Sequence, residues 1–388
     1  MDNFWKNRFI KKIFIFFSNI SLFLFFLISL KNSLNFSLDF QRPGALSLLL
    51  GLEPYSEFLK GNNIIFSNYA YPLYLQILYF LFIPFAIMPA PLAILVWALC
   101  NIAMILSSTF LLKKLFAINS SSRICLLLLI LLGAFPARNV IGNGQLSIFI
   151  MHFMLLGIYL KKIATNGKSK LISYFSYGLS YIKYSFAPSL ATFSVIFHGK
   201  KGFFLTCFPS LLGVTAMSLL FRTYSSIIGP LQVASKSTGN NYKAFGDLLS
   251  ILNIFNIENN LFLDLISKTI CIFLASFFVW ICRNFDFKRF LTLTALSSLM
   301  FVTHLPYDYI FYYIPLAFAF SEDSSRIEKF SIIACWIFIG YGYWLTYKFN
   351  YSFSTITETS FYFLLNLGLY SVIYSKGRKK LKESSYMY

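Results

Sequence analysis

Long apolar runs recur from one end of the chain to the other, and they constrain its fold more than any other feature. The run from Ile13 to Leu30 is one of them, and its polar and apolar residues do not alternate. Runs of about 17–25 residues let a helix cross a bilayer, whereas barrel strands need about ten alternating residues. Charged residues make up only 12% of the chain, roughly half the share in a soluble domain. The sequence predicts an all-α polytopic membrane protein.

This membrane protein is predicted to form a single integral membrane domain over residues 1–388, with about 10–12 transmembrane helices. The net charge of +19 would suggest nucleic acid as the partner of a soluble protein, but here the basic residues cluster at the ends of apolar runs. That distribution is typical of cytoplasmic loops and favours the lipid bilayer as partner, with no nucleic acid.

Basic residues at 6–12 and 376–380 flank the first and last apolar runs. We therefore expect both termini to lie in the cytoplasm, in an inner (plasma) membrane. Residues 31–70 then form a first extracytoplasmic loop, and residues 222–260 form a second polar extracytoplasmic segment.

Two stretches leave the number of crossings open. Counting forward from the first helix puts Lys113 and Lys114 outside, whereas counting back from the C-terminus puts them inside. Either one run between residues 72 and 137 is not a full crossing, or the positive-inside bias fails there. The segment 171–197, flanked by lysines and containing Pro188, is either a hairpin of two short helices or one tilted span.

No metal or other cofactor is predicted. The six cysteines lie within or at the ends of apolar runs without a CxxC pair, which is typical of small buried side chains. The three histidines form no HExxH motif, and the chain has no DxD motif.

Ionisable groups within apolar surroundings are candidates for function, because burying a charge in a membrane is costly. Lys183 lies in the middle of an apolar run and would bind an anion at a hairpin tip, or reach for the membrane surface. Residues 142–145 precede a helix whose free N–H groups suit a phosphate, although an ordinary capped loop would look the same. Arg138 nearby could bind phosphate through two hydrogen bonds.

His304 and Asp308 lie in one short turn between two late apolar runs. Together they could orient a substrate hydroxyl or a departing phosphate. Asp308 could equally cap the helix that follows it.

Several short motifs, taken in order over most of the chain, resemble glycosyltransferase family 87, the polyprenol-phosphate-mannose-dependent mannosyltransferases of the GT-C fold. They are Asp39-Phe40, Gly51-Leu52-Glu53-Pro54-Tyr55, Tyr71-Pro72-Leu73, Gly144-Gln145, Lys183 with Pro188, and Pro306-Tyr307-Asp308-Tyr309. The chain departs from the family pattern at Ser147, where an Asn is usual, and in the loss of one proline after Tyr71.

The resemblance implies a GT-C-like fold whose first outer loop carries short helices. It also implies an inverting transfer of a hexose such as mannose from a polyprenyl-phosphate-linked donor to a glycan or glycolipid acceptor outside the membrane. Asp39 would be the catalytic general base, although an acid in such a loop can also be merely solvated. The residues assigned to the donor phosphate are Lys183, Arg138, His304, Gln145 and Arg42, and those assigned to the acceptor or sugar are Tyr55, Tyr71 and Asp308.

Two other classes remain as alternatives. A lipid-linked-oligosaccharide flippase would have a charged, water-filled central path and an internal repeat. An O-antigen or capsule polymerase would favour arginine-rich outer loops, whereas the segment 222–260 holds Arg222, Lys236 and Lys243 as its basic residues.

Overall fold

The computed structural model describes residues 8–61, 66, 71–222, 225–238, 246–254, 261–349 and 355–385. Every regular element in these ranges is helical, which confirms the predicted all-α polytopic class. Short 3-10 segments cover Leu179–Ile182 and Pro306–Tyr312. The α-helices are α1 (Arg8–Asn35), α2 (Arg42–Leu49), α3 (Pro54–Leu59), α4 (Ile77–Leu81), α5 (Ile83–Ile87), α6 (Ala90–Phe116), α7 (Ser121–Gly133), α8 (Phe135–Gly142), α9 (Ser147–Ile163), α10 (Gly167–Gly178), α11 (Ala187–Thr206), α12 (Phe208–Phe221), α13 (Ser225–Thr238), α14 (Leu248–Ile254), α15 (Leu261–Trp280), α16 (Phe287–Met300), α17 (Tyr313–Phe320), α18 (Arg326–Phe349) and α19 (Thr355–Ser385).

Three stretches of the described chain are long and apolar enough to cross a membrane: Phe9–Asn35, Ala90–Phe116 and Ala187–Phe221. Helices α7 and α8 add a fourth if their 70° bend is counted within one span. The total of about 10–12 spans stays a prediction, because length and composition do not decide the shorter helices.

The first predicted loop carries the short helices α2 and α3, and the second polar segment carries α13 and α14. Helices α13 and α3 pack on each other, and a Cβ on Gly229 would lie 2.7 Å from the Tyr55 Cβ. Residues 62–65 and 67–70 of the first segment lie outside the described residues, as do 223–224, 239–245 and 255–260 of the second.

The helix bundle has two ends, which we name the Asp39 end and the Lys162 end. Helix α9 begins at Ser147, whose hydroxyl donates to Asp308, and it carries Lys162 in its last turn. These fifteen residues of helix place the two ends about 22 Å apart. Helix α16 runs the opposite way, from Lys288 beside Lys162 to Ser298, whose carbonyl is bonded by the His304 ring.

The apolar run at 72–88 folds into two five-residue helices that stay at the Asp39 end. The Leu75 N–H donates to the Ile182 carbonyl at 2.9 Å, next to Lys183. At the far side of the segment, the Arg42 Nε donates to the Phe85 carbonyl at 3.2 Å. Because both sides are held at the same end, this run is not a full crossing.

Helix α6 then runs from the Asp39 end to the Lys162 end. Lys113 and Lys114 occupy its last turn, and Leu115 beside them lines the same cavity as Lys162. The forward and backward counts of crossings disagreed about Lys113 and Lys114 because the forward count treated the run at 72–88 as a crossing, which it is not.

The segment 171–197 is a hairpin, with Lys183 in its turn. The Tyr177 hydroxyl on α10 donates to the Leu190 carbonyl on α11 at 2.8 Å. Thirteen residues of straight helix would separate these two positions by about 20 Å, so the chain has reversed between them. Of the two alternatives for this segment, the hairpin is the one that forms.

The chain reverses again at Gly199, whose φ of 74° is a left-handed value suited to glycine. Ser194 Oγ and Thr206 Oγ1, on the two sides of this glycine, lie 3.2 Å apart. Since twelve residues of straight helix span about 18 Å, α11 consists of two arms that pack against each other.

Candidate functional site

The backbone around Asp39 is fixed to the loop that follows α8. The Ser37 N–H donates to the Gly142 carbonyl and the Asp39 N–H donates to the Asn143 carbonyl, each at 3.0 Å. The Gln41 side chain also donates to the Asp39 carbonyl, at 3.1 Å. The position of Asp39 is therefore set by hydrogen bonds of the main chain.

Gly144 allows this close approach between the two segments. Its φ is +70°, and a Cβ added there would lie 3.0 Å from the Phe40 Cβ. The Gly144 carbonyl accepts a hydrogen bond from the Trp97 Nε1 at 2.8 Å, while the Trp97 ring stacks on Phe40. A larger residue at position 144 would push Asp39 away from the loop.

Asp39 is a partly exposed carboxylate with a raised pKa. Burial raises the pKa of Asp39 to about 6, against the lowering effects of a hydrogen bond from Gln145 and the charge of Lys183. The nearby charge of Asp308 acts in the raising direction. The Oε1 of Gln145 accepts from the Tyr74 hydroxyl at 3.0 Å, which orients its amide.

Asp308 is a fully buried carboxylate that is saturated with hydrogen bonds. Both of its oxygens accept from Lys183 Nζ at 2.6 Å, and one also faces His304 Nδ1 at 3.2 Å. The Leu305 N–H and the Ser147 hydroxyl donate to it as well. Burial acts to raise the pKa of Asp308, but Lys183 and His304 outweigh burial and hold that pKa well below its usual range.

The His304 ring lies between two oxygen acceptors. Its Nδ1 faces the Asp308 carboxylate, and its Nε2 bonds the Ser298 carbonyl. Lys183 and His304 thus flank the buried acid.

Asp247 is a further buried acid at this site, and the sequence analysis did not select it. Its carboxylate accepts from the backbone N–H and the hydroxyl of Ser250, at 2.7 and 2.8 Å, and from the His304 N–H at 3.2 Å. Burial raises its pKa. The sequence pattern that could have identified Asp247 is an acid placed after Gly246, just before an apolar helix.

The model of glycosyltransferase family 87 matches residues 69–305, which is more than half of the chain. The chain belongs to glycosyltransferase family 87. It is therefore a membrane glycosyltransferase, with the bilayer and a glycan substrate as its partners. The matched range includes Lys183 and His304, while Asp39 and Asp308 lie outside it. Neither the curated proteins nor the solved structures that were compared give a match.

The family 87 chain thus brings five of the predicted site residues together: Asp39, Gln145, Lys183, His304 and Asp308. Lys183 was predicted to bind an anionic ligand, and in the structure its ammonium is bound to Asp308. The Lys183 side chain as a whole is 13% exposed, whereas that of Asp308 is fully buried.

The two predicted arginines of the glycosyltransferase have different surroundings. The Arg42 guanidinium donates to the carbonyls of Phe85, Ala86 and Met88 at 3.0–3.3 Å, at the end of α5. The Nε of Arg138 on α8 is buried and has no hydrogen-bond partner among the described residues. A buried donor without a partner indicates a site for a ligand or water.

The two predicted tyrosines make contacts within the first loop and its neighbours. The Tyr55 hydroxyl donates to the Tyr74 carbonyl at 2.6 Å, which supports the residue that orients Gln145. The Tyr71 ring packs edge-on against Phe58, with 5.0 Å between their centres. Their roles in binding sugar remain predictions.

No group of three or more His, Cys, Asp or Glu side chains in the part of the chain that the structure describes is arranged to hold a metal ion. The arrangement can accept a proton at Asp39 and stabilise negative charge beside Lys183 and His304.

Proposed function

We propose that this glycosyltransferase moves a hexose such as mannose from a polyprenyl-phosphate donor to a glycan or glycolipid acceptor, with inversion, and that Asp39 is the general base. The observation that carries the proposal is the pKa of Asp39, raised to about 6 in a partly exposed position beside Gln145 and Lys183. A base is most effective when its pKa lies near the working pH, because it is then both ionised and able to hold a proton.

The Asp39 and Asp308 carboxylates would have different tasks. Asp308 is buried and saturated, so it is suited to holding Lys183 and His304 in place. Asp39 is partly exposed, so a substrate hydroxyl would have access to it. Environments that push the pKa values of two neighbouring acids apart are a common way of separating such roles.

In the proposed step, an oxygen of the acceptor hydroxyl attacks C1 of the donor sugar from the face opposite the phosphate. The hydroxyl proton passes to Asp39, the bond between C1 and the phosphate oxygen breaks, and its electron pair leaves with the polyprenyl phosphate. Lys183 and His304 would stabilise the charge that develops on that phosphate.

Arg138 is the second element of the proposed phosphate site. It lies one helical turn before Gly142, whose carbonyl binds the segment that carries Asp39. Its buried Nε has no partner in the described ranges, and guanidinium groups bind phosphate through paired hydrogen bonds. We propose that Arg138 binds the donor phosphate.

We propose that the Lys162 end faces the cytoplasm and the Asp39 end faces the extracytoplasmic side of the inner membrane. Lys113, Lys114, Lys162 and Lys288 all lie at the Lys162 end. An excess of basic residues is typical of the cytoplasmic side.

The test compares Asp39→Asn with the matched control Glu57→Gln. Glu57 lies in the same loop, where it pairs with the exposed Lys60 at 2.9 Å. Membranes containing each variant receive a polyprenyl-phosphate sugar labelled in the sugar, and transfer to endogenous acceptor is measured. We expect Asp39→Asn to lose transfer by about 10²–10⁴-fold and Glu57→Gln to retain it.

Normal transfer by Asp39→Asn would remove this residue from the mechanism. A parallel reaction supplied with a nucleotide sugar, with lipid-linked sugar synthesis blocked, tests the donor. Transfer from the nucleotide sugar at the rate of the lipid donor would contradict the polyprenyl-phosphate proposal while leaving Asp39 as the base.

A further inference from the structure

A second polar cavity lies at the Lys162 end, about 22 Å of helix away from the candidate active site. Its volume is about 430 Å³, within the usual size of ligand pockets. It is bounded by the last turn of α9, the first turn of α16 and the end of α19. The side chains that matter for its charge are Lys162, Asp286, Lys288, Arg289, Asp323 and Lys380.

The acids around this cavity are already paired. Asp286 and Glu328 bind Arg289, with distances of 2.7 Å from Asp286 and of 2.9 and 3.0 Å from Glu328. Asp323 forms an ion pair with Lys288. Asp323 also lies near the charge of Lys380, so the cations named here, Lys162, Lys288, Arg289 and Lys380, outnumber the carboxylates Asp286, Asp323 and Glu328 by one.

Two lysines of the cavity, Lys162 and Lys380, form no ion pair within the described ranges, although the charge of Lys380 acts on Asp323. The ammonium of Lys162 lies 3.2 Å from the centre of the Phe287 ring, and within the described ranges no acid is in ion-pair distance of it. Lys288 is close enough for the two positive charges to repel each other. Lys380 contacts Asp323 only through the backbone carbonyl, at 3.4 Å.

We infer that this cavity binds a phosphate group, carried by an anionic lipid headgroup or by a soluble phosphate ester. Converging ammonium groups that outnumber their acid partners attract a compact anion, and basic pockets between helices near a membrane surface are typical sites for phosphorylated headgroups. Leu115 and Leu381 line the same cavity and could contact the apolar part of a lipid.

The test uses the full-length protein in uncharged detergent at constant ionic strength, with the midpoint of thermal unfolding followed by tryptophan fluorescence. One titration adds phosphatidylglycerol, with phosphatidylcholine as its uncharged comparison. A second adds inorganic phosphate, with chloride as its comparison. Binding to the folded state raises the midpoint, and above the Kd the rise grows with the logarithm of the ligand concentration.

The variant for this test is Lys162→Gln combined with Lys380→Gln. Both lysines are exposed, so the fold should survive, and the midpoint without ligand verifies it. The matched control is Lys168→Gln combined with Lys170→Gln, which removes two exposed lysines from the start of α10. Lys162→Arg keeps the charge and should keep the binding.

We expect the ligand concentration needed for a given midpoint shift to rise at least about tenfold in the Lys162/Lys380 variant and to stay unchanged in the control. A response to phosphatidylglycerol alone identifies a lipid headgroup as the source of the phosphate. A response to inorganic phosphate identifies a soluble ester. The inference is overturned if neither ligand shifts the midpoint, or if the Lys162/Lys380 variant responds like the control.

Discussion

Two buried ion pairs lie at opposite ends of the bundle, and they differ in how completely they are satisfied. At the Lys162 end, Arg289 and Glu328 are 1% and 0% exposed and bind each other through two hydrogen bonds. At the Asp39 end, Asp308 is equally buried, but the Lys183 side chain is 13% exposed. Both members of the first pair are therefore fully buried, whereas one member of the second is partly exposed.

This difference separates a structural pair from a functional one. Arg289 is also bound by Asp286 and by the carbonyl of Asp323, so its donors are directed to fixed partners. Lys183 is held by one acid while its charge also acts on Asp39. We therefore propose that similar buried charges stabilise the fold in one place and set the chemistry in the other.

The largest effect is expected when the ion pair between Arg289 and Glu328 is broken. We expect Glu328→Gln to lower the free energy of unfolding by about 3–5 kcal/mol, because the charge of Arg289 is left partly uncompensated in a buried position. Asp286→Asn is the control, since Asp286 binds the same guanidinium but is 46% exposed. The free energy of unfolding of Asp286→Asn should fall by less than about 1 kcal/mol.

Chemical denaturation of the purified variants in detergent measures both values. Transfer per folded molecule should stay at the wild-type level in both variants. A large loss of transfer by folded Glu328→Gln would contradict the assignment of this pair to structure alone.

The second largest effect is expected when the ion pair between Lys183 and Asp308 is broken. We expect Asp308→Asn to lower transfer by roughly ten- to a hundredfold, because Lys183 and His304 lose the acceptor that positions them and small displacements of such groups are costly. Labelled sugar transfer at saturating donor measures this loss. The comparison fails if Asp308→Asn lowers only stability and leaves the transfer rate of the folded protein intact.

The pH dependence of transfer sharpens the same comparison. Since Asp39 must be ionised to accept a proton and its pKa is raised to about 6, kcat/KM of the wild type should fall tenfold per unit below about pH 6. In Asp308→Asn, the neighbouring negative charge is gone and Lys183 is released, so the pKa of Asp39 should fall. The acid limb of the profile should then move to lower pH, and an unmoved limb would show that another group controls it.

The smallest effect is on stability. The folded state binds the Asp39 proton more tightly than the unfolded chain, so the stabilising contribution of the protonated form is present below about pH 4. That contribution is lost as the pH rises through about 6. Asp39→Asn should therefore be more stable than the wild type by about 1 kcal/mol at pH 7, after allowing for solvent screening.

Thermal unfolding at pH 7 and at pH 4 tests this sign. The two proteins should unfold at the same temperature at pH 4, where both side chains are uncharged. A variant that is less stable than the wild type at pH 7 would mean that Asp39 contributes to the fold.

The sequence predicted the all-α class and the hairpin alternative for 171–197, because lysines on both flanks and a central proline are local signals. It could not distinguish a crossing from a buried, non-crossing segment at 72–88. Hydropathy is the same for both, and only the contacts of Leu75 and Arg42 reveal that this segment remains at one end.

The site was predicted as a set of residues but not as a set of contacts. Lys183 and Asp308 are separated by 125 positions in the chain, and no local pattern reports that they form an ion pair. The sequence therefore assigned Lys183 to a ligand and Asp308 to the acceptor as independent groups. Asp247 was missed because an acid before an apolar helix is common at ordinary helix starts.

The backbone of Asp39 is held by hydrogen bonds of its own peptide groups, separately from the hydrogen bond that its carboxylate makes with Gln145. The N–H and the carbonyl of this residue are both engaged, by Asn143 and Gln41. Any side chain that tolerates this backbone can thus occupy the position without rebuilding the loop. A single codon change is enough to install a thiol, an amide or a longer acid there, which makes residue 39 a favourable starting point for redirecting the enzyme by directed evolution.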